Sequence, residues 1–168
     1  MDASDLIVVR PARNEDGDGL GWLMARCWAD YPGSYFDRHG EMKGLDTIAT
    51  DFEAAGGMAW AAVRDDRIIG SVAVAPAGDV GGAWEVTKVY VDPRLRRSGL
   101  GRRLMDLAEE HVADRGGRRI VLWPDYRFET AHRFYERLGY ARDGRTRTLA
   151  DLSNTMEYFY AKRLGGSA

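Results

Sequence analysis

The chain has little of what marks several protein classes. Cys27 is its only cysteine, so the chain itself can form neither an intramolecular disulfide nor a cysteine-clustered zinc site. No apolar run approaches the roughly 20 residues that span a bilayer, and the first residues lack the basic-then-apolar pattern of a secretory signal. From these absences we expect a cytoplasmic protein with no membrane partner.

Net charge is also small. The sequence carries 24 basic and 26 acidic residues, a formal charge of −2, so no broad field favours nucleic acid or an anionic membrane. The expected partner is therefore a small molecule. Hydrophobic residues make up 45% of the 168, which suits one domain with a substantial core. We expect residues 1–168 to form that single domain.

Hydrophobic periodicity and turn residues predict an α/β chain. Strands are predicted over 6–10, 58–63, 68–75, 83–91, 119–123 and 156–162, and helices over 20–31, 45–54, 100–115 and 130–138. Asp65-Asp66 predicts a hairpin between the second and third strands, and the last strand is expected at a sheet edge. Strand, helix, strand from 83 to 123 predicts a parallel pair. The long helix is expected to bury one face, formed by Leu100, Leu104, Leu107, Ala108 and His111.

One loop combines glycine and arginine between a predicted strand and a predicted helix. It runs from Arg96 through Arg97, Ser98, Gly99 and Leu100 to Gly101. Glycine permits close backbone approach, and the N–H groups of a helix's first turn favour an anion. The alternative is an ordinary turn with solvated arginines. A dinucleotide fingerprint would need glycine at Leu104, and the Gly-Lys-Ser/Thr of a P-loop is absent, so a nucleotide-binding protein is disfavoured.

Three segments together resemble the GNAT superfamily of N-acetyltransferases. Arg96, Gly99 and Gly101 match its coenzyme A signature of Arg or Gln, two residues, Gly, one residue, and Gly or Ala. Residues 84–91 resemble the family's bulged fourth strand, and 131–140 its late helix. The resemblance implies an α/β (α+β) GNAT fold, a mixed sheet of six or seven strands with helices on both faces. It also implies a splayed parallel strand pair at the acetyl-CoA site.

The resemblance implies acetyl-CoA as co-substrate, with no metal. The strand backbone at Val89 and Val91 would bind the acyl and pantetheine groups, and the loop amides the pyrophosphate. The residues so implied in cofactor binding are Val89, Tyr90, Val91, Arg96, Arg97, Ser98, Gly99, Leu100, Gly101 and Arg102. Many relatives carry Asn at a cofactor-contacting position where this chain has Phe128, which leaves that contact in doubt.

Two side chains are candidates for proton transfer. A lysine-like amine has a pKa near 10.4, so it must lose a proton before attack, and the resemblance makes Glu85 the candidate base. Tyr135 is the candidate acid for the departing thiolate. The alternatives are a solvated or salt-bridged Glu85, paired with Lys88, and a Tyr135 that only packs. His132 and Cys27 are interpreted as packing residues.

The loop after the first helix combines aromatic and acidic side chains, at Tyr31, Tyr35 and Glu41. These side chains could receive a cationic amine, or they could simply pack the loop. The function expected is direct transfer of the acetyl group to a primary amine, on a small molecule. A protein lysine or N-terminus is an alternative acceptor. A non-catalytic acyl-CoA sensor is a different alternative, and a homodimer is left open by the resemblance.

Overall fold

The computed structural model describes residues 6–78 and 82–165, which form a mixed seven-stranded sheet with a pair of helices on each face. The strands are β1 (Val8–Pro11), β2 (Met58–Arg64), β3 (Arg67–Pro76), β4 (Trp84–Val91), β5 (Arg119–Leu122), β6 (Ala141–Thr148) and β7 (Met156–Arg163). The helices are α1 (Gly17–Trp28), α2 (Ile48–Ala54), α3 (Leu100–Asp114) and α4 (Glu129–Arg137). Within the described ranges, no helix is both long enough and apolar enough to span a membrane.

The strand order is β1-β2-β3-β4-β5-β7-β6. Every neighbouring pair is antiparallel except β4 and β5, which confirms the predicted parallel pair. Helices α1 and α2 pack on one face of the sheet, and α3 and α4 on the other. Asp65 and Asp66 form the predicted hairpin turn with φ of 50° and 58°, the left-handed region that such a two-residue turn requires.

The prediction that the last strand lies at an edge was wrong. β7 lies between β5 and β6, and it buries Phe159 on one face and Tyr160 on the other, as an interior strand does. The edge strand on this side of the sheet is β6, which the sequence analysis did not predict. Its residues, Ala-Arg-Asp-Gly-Arg-Thr-Arg-Thr, are almost all exposed, so no apolar alternation marks the strand.

The buried stripe of α3 also differs from the predicted face. Leu100, Leu104 and Ala108 are buried as expected, but Met105 and Val112 complete the stripe, while Leu107 and His111 lie half-buried at its margin. The stripe packs closely on the sheet at Gly70 of β3, where an added Cβ would lie 3.0 Å from Leu104 Cδ1. Glycine permits that approach without displacing the leucine side chains. α3 is thereby fixed beside β4, with its first turn at the end of that strand.

The parallel pair opens almost as soon as it begins. β4 and β5 are in register only at Trp84 with Ile120 and at Glu85 with Val121, after which β4 pairs with β3 alone. Lys88, with φ of 56°, lies at an irregularity in the β3–β4 pairing, and its carbonyl accepts a hydrogen bond from Ser71 Oγ at 2.7 Å. The splay leaves the second half of β4 with a backbone edge that faces a cavity.

Candidate active site

A cavity of about 670 Å³ lies at the splay, bounded by β4, the glycine loop and α4. It is lined by Cys27, Tyr31, Val89, Tyr90, Val91, Leu95, Arg96, Arg97, Gly99, Gly101, Arg102, Phe128, Thr130, Ala131, Arg133, Phe134, Tyr135 and Arg137. Of the ten residues that the resemblance implies in cofactor binding, all but Ser98 and Leu100 line it. Ser98 Oγ instead accepts a hydrogen bond from Leu100 N–H at 3.4 Å, and the Leu100 side chain is buried in the core.

The two glycines of the loop are required for different reasons. Gly99 has φ of +86° and caps α3, and an added Cβ there would meet nothing within 4 Å, so its requirement is conformational. At Gly101 an added Cβ would lie 3.2 Å from Phe134 Cζ, so a small residue lets α3 pack against α4. Arg103 N–H bonds back to Gly99 carbonyl at 3.0 Å. The N–H groups of Gly101 and Arg102 precede it in the first turn, where no helical carbonyl is available to them.

Positive charge dominates the walls of this cavity. Arg96, Arg97 and Arg102 line it from the loop and α3, and Arg133 and Arg137 from α4, whereas no aspartate or glutamate lines it. Elsewhere Arg38, Arg127 and Arg147 each pair with a carboxylate, but within 6–78 and 82–165 none of the five lining arginines does. Asp92, which begins the loop, is buried and already bonded to Arg94, which holds the pKa of its carboxyl low. The cavity is therefore suited to a ligand with several negative charges.

Tyr135 faces the same cavity from α4. The side chain is buried, and its hydroxyl has no hydrogen-bond partner among the residues that the structure describes. Burial raises the pKa of the phenol, so it is protonated at neutral pH. The ring packs at 5.4 Å from Phe134 and 6.0 Å from Tyr140, measured between centroids. A phenol held this way can donate a proton to a group inside the cavity.

Phe128 forms an aromatic wall of the cavity. Its ring centroid is 4.7 Å from that of Tyr31 and 6.3 Å from that of Trp28. Trp28 in turn donates a hydrogen bond from Nε1 to Tyr90 Oη at 3.1 Å. Because Phe128 offers no polar side-chain atom, this end of the cavity presents apolar surface.

Cys27 and His132 have structural surroundings, as the sequence analysis interpreted them. Cys27 Sγ donates to Val91 carbonyl at 3.4 Å, and burial raises the pKa of the thiol to about 11. His132 Nε2 lies 2.8 Å from the carbonyl oxygen of Asp125, and burial lowers the pKa of the imidazole. Its ring packs between Tyr158 and Tyr160. Neither residue is poised as a nucleophile or base.

Glu85 lies outside the cavity lining, on the sheet face that also presents Tyr90, close to where β4 and β5 separate. Its carboxylate is 3.7 Å from the guanidinium of Arg147 on β6. That guanidinium also bonds Glu157 of β7 and stacks over the ring of Trp123 at 4.4 Å. Burial raises the pKa of Glu157 and lowers the pKa of Lys88, which lies near both carboxylates. A charged cluster of Glu85, Arg147 and Glu157 thus flanks the splay.

Arg147 and Glu157 were missed by the sequence analysis. Arg147 lies on the unpredicted strand β6, and no local pattern links it to Glu85, 62 positions earlier. Glu157 had a weak signal, because it occupies the same face of its alternating strand as buried Phe159, where a polar residue is unusual. Within the described part of the chain, no group of three or more His, Cys, Asp or Glu side chains is arranged to hold a metal ion.

The three acceptor candidates do not converge. Tyr31 lines the large cavity, whereas the Tyr35 side chain is 61% exposed. The Tyr35 backbone bonds Ser153 Oγ, to which its N–H donates at 2.8 Å and from which its carbonyl accepts at 3.4 Å. Glu41 accepts a hydrogen bond from Leu152 N–H at 2.8 Å. It lines a separate cavity of about 190 Å³ between α2 and β4, whose wall includes Lys88.

Known proteins with similar sequences are acetyltransferases. A mycothiol acetyltransferase of Cellulomonas flavigena is 32% identical over 142 residues, which cover 76% of this chain and 38% of that protein. A mycothiol acetyltransferase of Thermomonospora curvata is 38% identical over 135 residues, or 74% of this chain and 41% of its own length. The chain therefore spans about two fifths of these relatives.

Solved structures share the fold. A GNAT-family acetyltransferase of Staphylococcus aureus superposes with a TM-score of 0.80 at 17% identity, over 95% of this chain and all of that one. The PaiA N-acetyltransferase of Thermoplasma acidophilum, solved in complex with coenzyme A, superposes with a TM-score of 0.72 at 16% identity, over 94% of this chain and 99% of that one. The family model for the acetyltransferase (GNAT) family matches residues 22–140, from α1 to the end of the α4 region. On the motif, the splayed strands and this match, the chain belongs to the GNAT acetyltransferase family.

Proposed function

We propose that the protein transfers the acetyl group of acetyl-CoA directly to a primary amine of a small molecule. Family membership gives the acyltransferase class and acetyl-CoA as co-substrate. The observation that carries the proposal is the cavity itself. It joins an anion-binding helix start, five arginines and an open strand edge to a buried phenol. The charged cluster at the splay lies beside it.

The residues present fit a coenzyme with a long polar arm and a polyphosphate end. The first-turn N–H groups of Gly101 and Arg102 would bind the pyrophosphate, with Arg96 and Arg97 supplying positive charge. The backbone of β4 at Val89 and Val91, which has no partner strand on the β5 side, would bond the pantetheine amides. When bound, the coenzyme supplies the activated acyl group.

Glu85 is proposed as the base that removes the amine proton, directly or through water. It lies at the last registered pair of β4 and β5, so its carboxylate is near the point where the cavity opens between the strands. The Arg147 guanidinium lies 3.7 Å from the Glu85 carboxylate, and the Lys88 ammonium is close enough to interact with it electrostatically. The proposed base therefore lies in a polar environment. A base is needed because a typical alkylamine is protonated at neutral pH.

Tyr135 is proposed as the acid that protonates the leaving thiolate. Its raised pKa keeps the proton on the phenol until a stronger base forms beside it. The phenol is not committed to another hydrogen bond in the described structure, so it can serve a ligand. Cys27 is not proposed as an acyl carrier, because its thiol donates to Val91 carbonyl and its raised pKa disfavours the nucleophilic thiolate.

The amine is proposed to approach past Tyr31 and Phe128, whose rings can contact a cation or an apolar group. Tyr35 and Glu41 lie farther out and would touch only a larger acceptor. Both curated relatives described above are named mycothiol acetyltransferases, so the acceptor of those enzymes is one candidate. A protein lysine or N-terminus is a second acceptor class.

The test is release of free thiol from acetyl-CoA across a panel of amines. The panel holds polyamines, aminoglycosides, the acceptor of mycothiol acetyltransferases, and peptides with a free lysine or N-terminus. Calorimetry with CoA measures binding separately. Thiol release with one class identifies the acceptor, whereas tight binding without release for any amine supports a sensor instead. Acetylation of the protein itself after incubation with acetyl-CoA alone, detected by mass at Cys27, would contradict direct transfer.

A further inference from the structure

The α4 wall of the cavity carries two arginines that the glycine loop does not account for. Arg133 and Arg137 both line the cavity, and they are four residues apart on a nine-residue helix. Residues at this spacing lie on the same helix face. Thr130, one turn earlier, lines the cavity as well. This face of α4 therefore offers two guanidinium groups and a hydroxyl to whatever occupies the cavity.

These two arginines have no internal partner to explain them. In the residues that the structure describes, neither Arg133 nor Arg137 forms an ion pair with a carboxylate. Glu136, which lies between them in sequence, accepts a hydrogen bond from Tyr160 Oη at 3.0 Å on the sheet side of the helix. The carboxylate nearest in sequence is thus engaged away from the cavity. The positive charge of this face is left for a ligand.

The coenzyme carries two separate phosphate groups near its adenosine end. The loop and the first turn of α3 account for one, the pyrophosphate, with Arg96, Arg97 and Arg102 around it. The other is the 3′-phosphate on the ribose, a dianion that needs its own donors. Phe134, which follows Arg133 on α4, packs against Gly101, so α4 lies directly beside the glycine loop.

We propose that Arg133 and Arg137 bind the 3′-phosphate of the coenzyme, so that the protein distinguishes CoA from dephospho-CoA. Guanidinium groups suit this task because they form paired, charge-assisted hydrogen bonds with phosphate oxygens. The inference rests on the coenzyme part of the proposed function and is independent of the acceptor amine.

The experiment measures the Kd of CoA and of dephospho-CoA by calorimetry on the full chain. Wild-type protein is expected to bind CoA about 10- to 30-fold more tightly, a range set by charge-assisted bonds at an exposed site. Arg133→Gln and Arg137→Gln should each weaken CoA binding several-fold and leave dephospho-CoA binding unchanged. The double variant should bind both ligands alike. Both side chains are exposed, so these variants are expected to fold.

Arg103→Gln is the matched control. Arg103 is an exposed arginine on α3 that does not line the cavity, so its removal changes the protein's charge equally without touching the proposed site. Its ratio of the two Kd values should equal that of the wild type. Equal wild-type affinity for both ligands would overturn the inference while leaving coenzyme binding intact. Equal weakening of both ligands in the α4 variants would assign these arginines to the pyrophosphate instead. Failure of either ligand to bind wild-type protein would reject the proposed function itself.

Discussion

The two sides of the proposed reaction centre handle charge in opposite ways. On the cofactor side, five arginines line the cavity and no carboxylate does. On the other side of the splay, Arg147 is bonded to Glu157, lies 3.7 Å from Glu85 and stacks on Trp123. The arginines of the first region repel one another, and a polyanion bound among them would offset that repulsion. In the second region, the charge of Arg147 is already paired within the protein.

This difference gives the two regions different roles, coenzyme binding for the arginines and proton transfer for the charged cluster. A surplus of positive charge attracts any molecule with a polyphosphate end, so the cofactor side can be general across a family. The internally paired cluster instead holds the proposed base, Glu85, in fixed polar surroundings, and removing one partner would leave a partly buried charge unpaired. We therefore expect substitutions beside the cavity to alter chemistry or coenzyme affinity, and substitutions in the cluster to alter turnover, pH dependence or stability.

The largest expected effect comes from Tyr135→Phe. The change removes only the phenol oxygen and keeps the ring contacts, so folding and CoA affinity should be unchanged while turnover falls about 100- to 10,000-fold, the usual loss for a general acid. The measurement is kcat with the best amine of the panel. Tyr140→Phe is the control, because it deletes a buried hydroxyl bonded to Glu109 in the same aromatic group but outside the cavity. Wild-type turnover in Tyr135→Phe would exclude the acid role.

Glu85→Gln should lower turnover about 100-fold at pH 7, since a lost general base typically costs that much. The defect should shrink toward pH 10, where the amine loses its proton without help. The measurement is the ratio of variant to wild-type kcat from pH 7 to pH 10. Asp143→Asn removes another carboxylate paired with an arginine of β6, away from the splay, and should leave the ratio flat. A flat ratio for Glu85→Gln as well would contradict the base role.

The same contrast explains what could be predicted from the sequence. The glycine loop is contiguous, so Gly99, Gly101 and their arginines carry a readable motif, and the strand and helix on either side were predicted too. The cluster joins Glu85 of β4 to Arg147 and Glu157 of two late strands. Those contacts depend on strand order, and β6 has no apolar alternation to reveal it. Phe128 was recognised as a departure, but its packing on Tyr31 required the fold.

Gly99→Val should weaken CoA binding about 5- to 30-fold. The reason is backbone conformation, because valine strongly disfavours the φ of +86° that orients the loop, at a cost of about 1–2 kcal/mol. The Kd for CoA is the measurement. Gly116→Val is matched closely, since Gly116 has φ of +77° at the other end of α3 and nothing lies within 4 Å of an added Cβ. It should lose stability and keep wild-type affinity. Equal Kd values for both variants and wild type would remove the loop from the cofactor site.

The smallest expected effect is on stability, from Arg147→Met. Burial raises the pKa of Glu157, so folding disfavours its charged form and its contribution to stability falls as pH rises through the folded pKa, while Arg147 opposes that fall. Without the guanidinium, the free energy of unfolding should drop by about 1 kcal/mol at pH 8, a value discounted for partial exposure.

The loss in Arg147→Met should shrink as the pH falls through the raised folded pKa of Glu157, and it should be gone by about pH 4.3, the ordinary pKa of glutamate, because the folded proteins then carry a protonated Glu157 with or without Arg147. Denaturant unfolding of wild type and variant at each pH measures the difference directly, which removes acid effects common to both proteins. Arg145→Met is the control: Arg145 lies two residues earlier on β6, stacks over Phe159, and pairs with exposed Asp143. Arg145 lowers the pKa of Asp143, so the stability difference of Arg145→Met should stay constant from pH 8 down to about pH 3.9, the ordinary pKa of aspartate, and shrink only below that. A loss in Arg147→Met that is equally independent of pH over that range would mean that the guanidinium stabilises the sheet by covering Trp123 rather than by neutralising Glu157.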